Sequence, residues 1–271
     1  MRQPARDVKP IKWRESGFSS GQRAIPEETP VALTYDGTSY AVMMATPADL
    51  EDFAIGFSLF EGIIDSPGDI DTLEIIDVEQ GIEARMWLKP DTARRHIGRR
   101  RAILGPTGCG LCGVESISEA MKPLNHVDSG LTLHPRQLVE AMGRLHKAQA
   151  LNAQTRAVHA AAFWDGGAGL IVREDVGRHN ALDKIIGTAA RAGLDCGKGA
   201  VLLTSRVSVE MVQKTARLGA PVMAAVSAPT ALAVRLAEEA GITLVAVLRD
   251  DGFEVFTRPE RILEDAPARA G

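Results

Sequence analysis

A regular alternation of apolar and polar positions begins near residue 30. Residues 31–35 and 40–44 are strand-like runs on either side of Asp36 and Gly37, a pair that favours a tight hairpin. Thr46, Pro47, Ala48 and Asp49 then read as a helix start, with a hydroxyl cap, a proline at the first helical position and an acid in the first turn. Leu50, Phe53, Ala54, Phe57 and Phe60 follow at helical spacing, and Gly62 closes the helix. Residues 73–77 and 82–88 predict a second strand pair around Gln80 and Gly81. A helix is expected over 135–146, with Leu138, Ala141, Met142 and Leu145 on one face, and a hairpin over 158–164 and 170–172. The pattern then changes. Helices over 178–192, 208–218 and 229–240, stopped by Gly193, Gly219 and Gly241, alternate with apolar strands over 200–204, 221–227 and 242–248; 253–256 pairs back on the last. Strands separated by helices at this spacing predict crossovers and a parallel layer with helices packed on it.

Two stretches lack this periodicity. Residues 1–25 carry Arg2, Arg6, Lys9, Lys12, Arg14 and Arg23 with little apolar besides Ile11, Trp13 and Phe18, and read as a flexible, solvated arm. Residues 89–104 gather Lys89, Arg94, Arg95, His96, Arg99, Arg100 and Arg101. They read as a basic linker, either a mobile connection or a patch for phosphates or an acidic partner. The expected division is an arm (1–25), a smaller β-rich part (26–104), a larger α/β part (105–265) and a short tail (266–271). The class is α/β, or α+β taken overall.

Composition narrows the function. Of 271 residues 45% are apolar, enough for one large or two modest cores. A net charge of −4 argues against a dedicated nucleic-acid binder, and 4% aromatic residues against a base-stacking platform. No apolar run is long enough to span a membrane, and the polar first 25 residues hold no signal core, so the expected location is cytoplasmic. Three cysteines fit a reducing compartment rather than a disulfide scaffold.

Two of those cysteines, Cys109 and Cys112, sit in the glycine-rich run TGCGLCG at 107–113. Such a pair serves as half a zinc site, as a dithiol couple or as a sulfur-handling nucleophile. Structural zinc wants four ligands, and only half a site is present. A thioredoxin-like couple belongs at a strand-to-helix turn, whereas this pair follows a basic stretch. Gly108, Gly110 and Gly113 leave the sulfurs uncovered, and the upstream arginines favour a thiolate. Cys196 reads as an ordinary residue. His159 is followed by Ala160 and Ala161, a histidine-x-glutamate deaminase signature with its glutamate missing; a half-buried strand histidine is the alternative. A hydrolytic zinc deaminase is therefore disfavoured, and no bound metal is expected.

The densest polar cluster is DVGRHNALDK at 175–184, with Asp175 expected to cap the helix start and Arg178, His179 and Asn180 in excess of what a cap needs. That excess suggests an anion at a helix N-terminus. Thr204, Ser205 and Arg206, and likewise Ser227, Ala228, Pro229 and Thr230, lie between a strand and a helix, where open α/β sheets bind ligands. Simple capping by Ser205 and Ser227 is the alternative. Neither a Walker A sequence nor G-x-G-x-x-G occurs, so ordinary ATP or NAD use is unsupported.

Taken jointly, TPADLEDF at 46–53, GCGLCG at 108–113, DVGRHNALDK at 175–184, SRVSVEMVQK at 205–214 and SAPTALA at 227–233 resemble the FdhD family of formate dehydrogenase accessory sulfurtransferases, from about residue 30 to about residue 261. The resemblance implies a cytidine-deaminase-like core with a smaller N-terminal part. It implies a cysteine desulfurase as sulfur donor, a persulfide on Cys109 with Cys112 assisting, and a molybdenum or tungsten bis(molybdopterin guanine dinucleotide) as the substrate that receives the sulfur. That cofactor passes to apo-formate dehydrogenase. Contacts to the guanine dinucleotide map to Phe253, Glu254, Val255, Phe256, Thr257 and Arg258, with Arg178, His179, Ser205, Arg206, Ser227 and Thr230 as further donors and GDP as a mimic. The resemblance also implies a homodimer. The rival readings are a non-catalytic cofactor chaperone and a zinc hydrolase.

Overall fold

The computed structural model describes residues 2–103 and 124–263. Its chain opens with a two-stranded ribbon rather than the flexible arm expected. β1 (Ala5–Val8) pairs antiparallel with β4 (Arg23–Pro26), and β2 (Ile11–Arg14) with β3 (Gly17–Ser20). Gly17 turns the tip at φ 107°, a conformation that glycine adopts without cost. The alternation of Ile11 and Trp13 with Lys12 and Arg14 is a strand period too short to stand out from composition alone. The base of the ribbon is tied down where Arg2 donates to the Val78 carbonyl at 2.8 Å and Glu27 N–H to the Pro4 carbonyl at 2.9 Å.

The first sheet has the order β6-β5-β8-β7, built from β5 (Thr29–Tyr35), β6 (Thr38–Ala45), β7 (Ile70–Val78) and β8 (Gly81–Leu88). The expected hairpin turn is present, with Asp36 and Gly37 both at positive φ, 49° and 75°. Between β6 and β7 lies α1 (Leu50–Phe60). Its start differs from the expected one. Asp49, left-handed at φ 52°, is the capping residue without a side-chain bond, while Thr46 is used elsewhere. Val31, Leu33, Ile82, Ala84 and Met86 from the sheet and Phe53, Ala54, Phe57 and Leu59 from α1 form one core.

The basic stretch after β8 is a helix, α2 (Pro90–Ile103), not a linker. Pro90 starts it, Asp91 supplies an acid in the first turn, and Arg94 pairs with Asp91 one turn on. Arginine is a good helix former, so a basic run has no intrinsic tendency to be loop. His96 anchors the helix, buried with its ring centroid 5.4 Å from that of Tyr35.

After residue 124 come α3 (Pro135–Ala148), the unexpected short α4 (Ala150–Thr155), and the hairpin of β9 (His159–Trp164) and β10 (Leu170–Asp175). Glu174 explains α4: its carboxylate accepts from the N–H groups of Leu151 and Asn152, each at 2.8 Å. Next follow α5 (Arg178–Ala192), β11 (Ala200–Leu203), α6 (Val209–Leu218), β12 (Val222–Ala225), α7 (Ala231–Glu239), β13 (Thr243–Arg249) and β14 (Gly252–Val255). The second sheet runs β10-β9-β11-β12-β13-β14. Only β11, β12 and β13 are mutually parallel; the other pairings are antiparallel. One face packs on α5, α6 and α7 through Leu182, Met211 and Ala233, the other on α3 through Leu138, Met142 and Leu145. The fold is therefore mixed α/β, with both faces of the larger sheet covered.

The two sheets meet through α1 and α5. A Cβ on Gly56 would lie 1.8 Å from the Asp183 carbonyl oxygen, and one on Gly187 1.9 Å from that of Asp52, so the helices cross backbone to backbone. Polar groups complete the joint. Asp52, buried, pairs with Arg173 and Arg191, each at 2.8 Å, and accepts from the Thr188 hydroxyl at 2.8 Å. Burial alone would raise its pKa, but these donors outweigh it and hold the carboxyl below the usual range.

Candidate functional site

The carboxyl ends of β11 and β12 and the start of α5 converge on one edge of the second sheet. The Thr204 N–H donates to the Ala160 carbonyl at 3.1 Å, and its hydroxyl accepts from Ala160 N–H at 2.9 Å. The end of β11 is thereby set beside His159, the first residue of β9, which itself lies opposite Asp175. The two strand-to-helix loops are zipped together. Val207 N–H donates to the Ala228 carbonyl at 3.3 Å, and Thr230 N–H to the Val207 carbonyl at 3.0 Å. Ser205 and Arg206 are thus brought next to Ser227 and Thr230, as the sequence placed them.

Their individual jobs differ from the expected ones. Thr230 caps α7, its hydroxyl accepting from Ala233 N–H at 3.2 Å. Ser208, not Ser205, occupies the capping position of α6, and among the described residues its buried hydroxyl has no hydrogen-bond partner. Ser205 is buried, and its hydroxyl donates to the Arg206 carbonyl at 3.2 Å. The carbonyl of Ser227 accepts from Val247 N–H at 3.4 Å. Val247 has φ 54°, a left-handed conformation strained for a β-branched residue, inside an irregularity of β13 beside this edge.

Asp175 does not occupy the capping position of α5, which falls to Gly177 without a side-chain bond. It is fully buried and binds four groups: Gly177 N–H at 2.8 Å, the Asn180 amide at 3.0 Å, Thr46 N–H at 3.0 Å and the Lys184 ammonium at 2.7 Å. Asn180 also donates to the Met44 carbonyl at 2.8 Å, and the Thr46 hydroxyl accepts from Val176 N–H at 3.0 Å. Much of the polar cluster therefore clamps the first sheet to the second. Arg178 and His179 form the first turn of α5, at this edge. Among the described residues the buried Nε of Arg178 has no hydrogen-bond partner, leaving an N–H able to serve an acceptor.

His159 and His179 both have lowered pKa values. For His159 the cause is burial, then the Arg178 charge; for His179 burial leads, opposed by Glu210 and reinforced by Lys214 and Arg178. Both imidazoles are neutral at pH 7. His179 Nε2 lies 3.6 Å from Glu210, whose other oxygen is 2.8 Å from the buried Lys214 ammonium. Lys214 also pairs with Asp183 at 2.7 Å and lies 4.6 Å from the Phe60 ring centroid. Full burial pushes Asp183 up to about 6, still ionised at neutral pH beside Lys214. The edge thus carries a guanidinium, two neutral imidazoles and a carboxylate held by a buried cation, a set suited to an anionic ligand with polar edges. The Glu210, Lys214 and Asp183 relay was not singled out from the sequence; the i, i+4 spacing of Glu210 and Lys214 was its only signal.

The stretch from Phe253 to Arg258 crosses the sheet. Phe253 and Val255 pack on the α3 side, Glu254 is exposed opposite Ala246, and Phe256 N–H donates to the Leu244 carbonyl at 2.8 Å. The buried Thr257 hydroxyl donates to the Ile242 carbonyl at 2.7 Å, and Arg258, paired with Glu238 at 3.0 Å, accepts at its carbonyl from the Thr243 hydroxyl. Thr257 and Arg258 therefore lie at the amino ends of the parallel strands, across the length of β13 from Ser227. They are not brought together with Arg178, His179 and Ser205. Cys196 is buried and its thiol pushed up to about 11, which makes it unreactive. Cys109 and Cys112 lie outside the described residues. Among the described residues no three His, Cys, Asp or Glu side chains group as a metal site, and no helix is long and apolar enough to cross a membrane.

The sequence profile of the FdhD/NarQ family matches residues 26–263, all of both sheets. The chain belongs to the FdhD/NarQ family. Family relatives include proteins named sulfur carrier protein FdhD: one from Agrobacterium fabrum is 52% identical over 252 residues, covering 92% of this chain and 93% of its own. One from Brucella abortus is 53% identical over 262 residues, covering 96% and 97%. A crystal structure of a protein assigned as a formate dehydrogenase accessory protein from Desulfotalea psychrophila superposes with a TM-score of 0.78 at 27% identity, covering 96% of this chain and 100% of its own.

Proposed function

We propose that this member of the FdhD/NarQ family is a cytoplasmic sulfur carrier in the maturation of formate dehydrogenase. The observation that carries the reading is near-complete coverage by relatives named sulfur carrier proteins, joined to an intact C-x-x-C pair in this chain. The Cys109 thiolate attacks the outer sulfur of a persulfide on a cysteine desulfurase. A new S–S bond forms at Cys109, the donor's S–S bond breaks, and the donor cysteine leaves as thiolate. Attack by the Cys112 thiolate on the inner sulfur of the Cys109 persulfide then releases the outer sulfur as hydrosulfide. The disulfide left behind is reduced by a dithiol. The substrate that takes the sulfur is the molybdenum or tungsten bis(molybdopterin guanine dinucleotide), bound for apo-formate dehydrogenase. The phosphates of that substrate match the donor-rich edge around Arg178, Arg206 and the start of α5. Phe253, Glu254, Val255, Phe256, Thr257 and Arg258 would serve the guanine end only as a second, separate contact surface. The larger sheet, with helices on both faces, supports reading this part as a cytidine-deaminase-like core.

The test is mass spectrometry after incubation with a cysteine desulfurase and cysteine. Wild type gains one sulfur atom on Cys109, the Cys109→Ala variant gains none there, and the same variant fails to restore formate dehydrogenase in a deletion strain. Full restoration by Cys109→Ala removes the proposal.

A further inference from the structure

Two helical pairs interlock beside the donor-rich edge. On α5 His179 and Asp183 stand one turn apart, and on α6 Glu210 and Lys214 do the same, so each pair shares one face of its helix. Between the helices the four groups form a chain. Asp183 lies 2.7 Å from the Lys214 ammonium, Lys214 2.8 Å from one oxygen of Glu210, and the other oxygen of Glu210 3.6 Å from Nε2 of His179. Exposure rises along it, from 1% at Asp183 and 2% at Lys214 to 40% at Glu210 and 29% at His179. A buried ion pair contributes little net stability, so one placed beneath a polar edge points to a use at that edge. Burial opposes the charge on Lys214, but Asp183 and Glu210 outweigh it and raise its pKa. The ammonium therefore stays charged and anchors Glu210 beside the imidazole.

A carboxylate only accepts hydrogen bonds. The ring nitrogen that faces Glu210, Nε2, therefore carries the hydrogen of the neutral imidazole, and Nδ1 carries the bare lone pair. Phosphate oxygens are acceptors too, so Nδ1 has nothing to offer one until the ring gains a second proton. We infer that His179 takes up a proton when a tetrahedral oxyanion docks at this edge, and that Lys214, held by Asp183, is the positioning residue that sets Glu210 to receive the imidazolium. The inference rests on the reading of the edge as the place of the substrate's phosphates. The proton comes from solvent, the Nδ1 lone pair becomes the new N–H bond, and no electron is transferred. The charged and titratable groups that face His179 are Arg178 on its own helix, Glu210 and Lys214 on α6 and His159 on β9. Behind them Phe60 lies against Lys214, and Glu61 faces Asp183. With the edge empty, burial, Lys214, Arg178 and His159 hold the ring neutral against Glu210. An anion within about 4–6 Å favours the imidazolium by roughly one to three pH units. Docking thus adds one N–H donor beside the Arg178 guanidinium, whose buried Nε has no hydrogen-bond partner among the described residues. An uncharged ligand does not draw that proton, so the device selects for negative charge.

The experiment uses the full chain and sulfate, a tetrahedral dianion whose own charge is constant over the range of histidine titration. NMR of ¹⁵N-labelled histidine rings follows His179, assigned by its loss in His179→Gln. Its midpoint is expected below 6.5 without sulfate and about one unit or more higher with saturating sulfate. By linkage, sulfate affinity falls about tenfold from the acid to the alkaline side of that titration in wild type, and less than about twofold in His179→Gln. Glu210→Gln keeps the shape and removes the charge, and is expected to lower the His179 midpoint with and without sulfate. Lys214→Met/Asp183→Leu removes both buried charges together and leaves no unpaired ion. In that background the drop caused by Glu210→Gln should shrink to about half or less, because nothing then fixes Glu210 against the ring. The wild-type, His179→Gln and Glu210→Gln results decide the proton uptake even where the double variant fails to fold. A His179 midpoint that sulfate leaves in place, a sulfate-dependent shift that belongs to His159 alone, or an undiminished Glu210→Gln effect in the double variant would overturn the inference. Sulfate that disturbs no residue of the edge would remove the phosphate assignment of the edge with it. Sulfur loading on Cys109 tests the carrier reading independently of all of these.

Discussion

At the scale of single residues, the donor-rich edge is defined by groups whose chemistry depends on what surrounds them. His159 and His179 look alike in the sequence, and either could be charged or neutral at pH 7. Burial decides for the neutral form in both, joined by the Arg178 guanidinium at His159 and by the Lys214 and Arg178 charges at His179. The folded state then binds fewer protons than the unfolded chain just below pH 6.5, so these two groups take stability away as the pH falls through that window. In proton NMR, both imidazoles should titrate with midpoints below 6.5. In Arg178→Ala the His159 midpoint should move upward, since one of its two depressing causes is gone. A His159 midpoint at or above 6.5 in the wild type would show that the ring is not in this environment. Asp175 teaches the same lesson from the other side. Its place just before a helix predicts a cap; three of its four partners, Gly177, Asn180 and Lys184, do belong to the same contiguous motif, but the fourth, the Thr46 N–H, comes from the loop after β6, which a local reading cannot see.

At the scale of elements, periodicity was a good guide where helices and strands have one buried face. The helices over 135–146 and 178–192 and the strands of both sheets lie where the apolar spacing put them, because burial of one face is written directly into that spacing. It failed where the face is not buried. The ribbon is largely exposed, and α2 is highly basic, so neither shows an apolar period. Gly56 and Gly187 are a different case. A glycine inside a helix costs about 1 kcal/mol in propensity, and its compensation here is the backbone contact between α1 and α5. Gly56→Ala should therefore destabilise the protein by about 3 kcal/mol despite improving helix propensity. Urea unfolding measures this, and a neutral or stabilising result would mean that the helices do not approach so closely.

At the scale of the whole molecule, the two sheets behave as one body if the joint is as tight as the geometry indicates. The α1 and α5 crossing, the Asp52 cluster and the Asp175 hub all span it. Trp87 belongs to the first sheet and Trp164 to the second. Fluorescence melts of Trp13→Phe/Trp87→Phe and Trp13→Phe/Trp164→Phe variants report the two sheets separately. Corrected for each variant's own stability, the transitions should coincide with those from circular dichroism. Two separated transitions would show that the halves fold independently and that the polar joint is peripheral to stability.

The sequence by itself determined the family, the C-x-x-C pair at Cys109 and Cys112, the alternation of elements and the strand-to-helix loops that meet at one edge. Each of these is encoded locally, in spacing or in contiguous motif. Only the tertiary structure decided which polar residues of those motifs face the edge and which are consumed in holding the sheets together. It also separated Thr257 and Arg258 from Arg178 by the length of a strand, and it made a ribbon of the basic arm. The physical reason for the first two is that the partner of a buried donor and the far end of a strand are set by contacts between residues distant in the chain; the ribbon escaped because its largely exposed strands leave no apolar period.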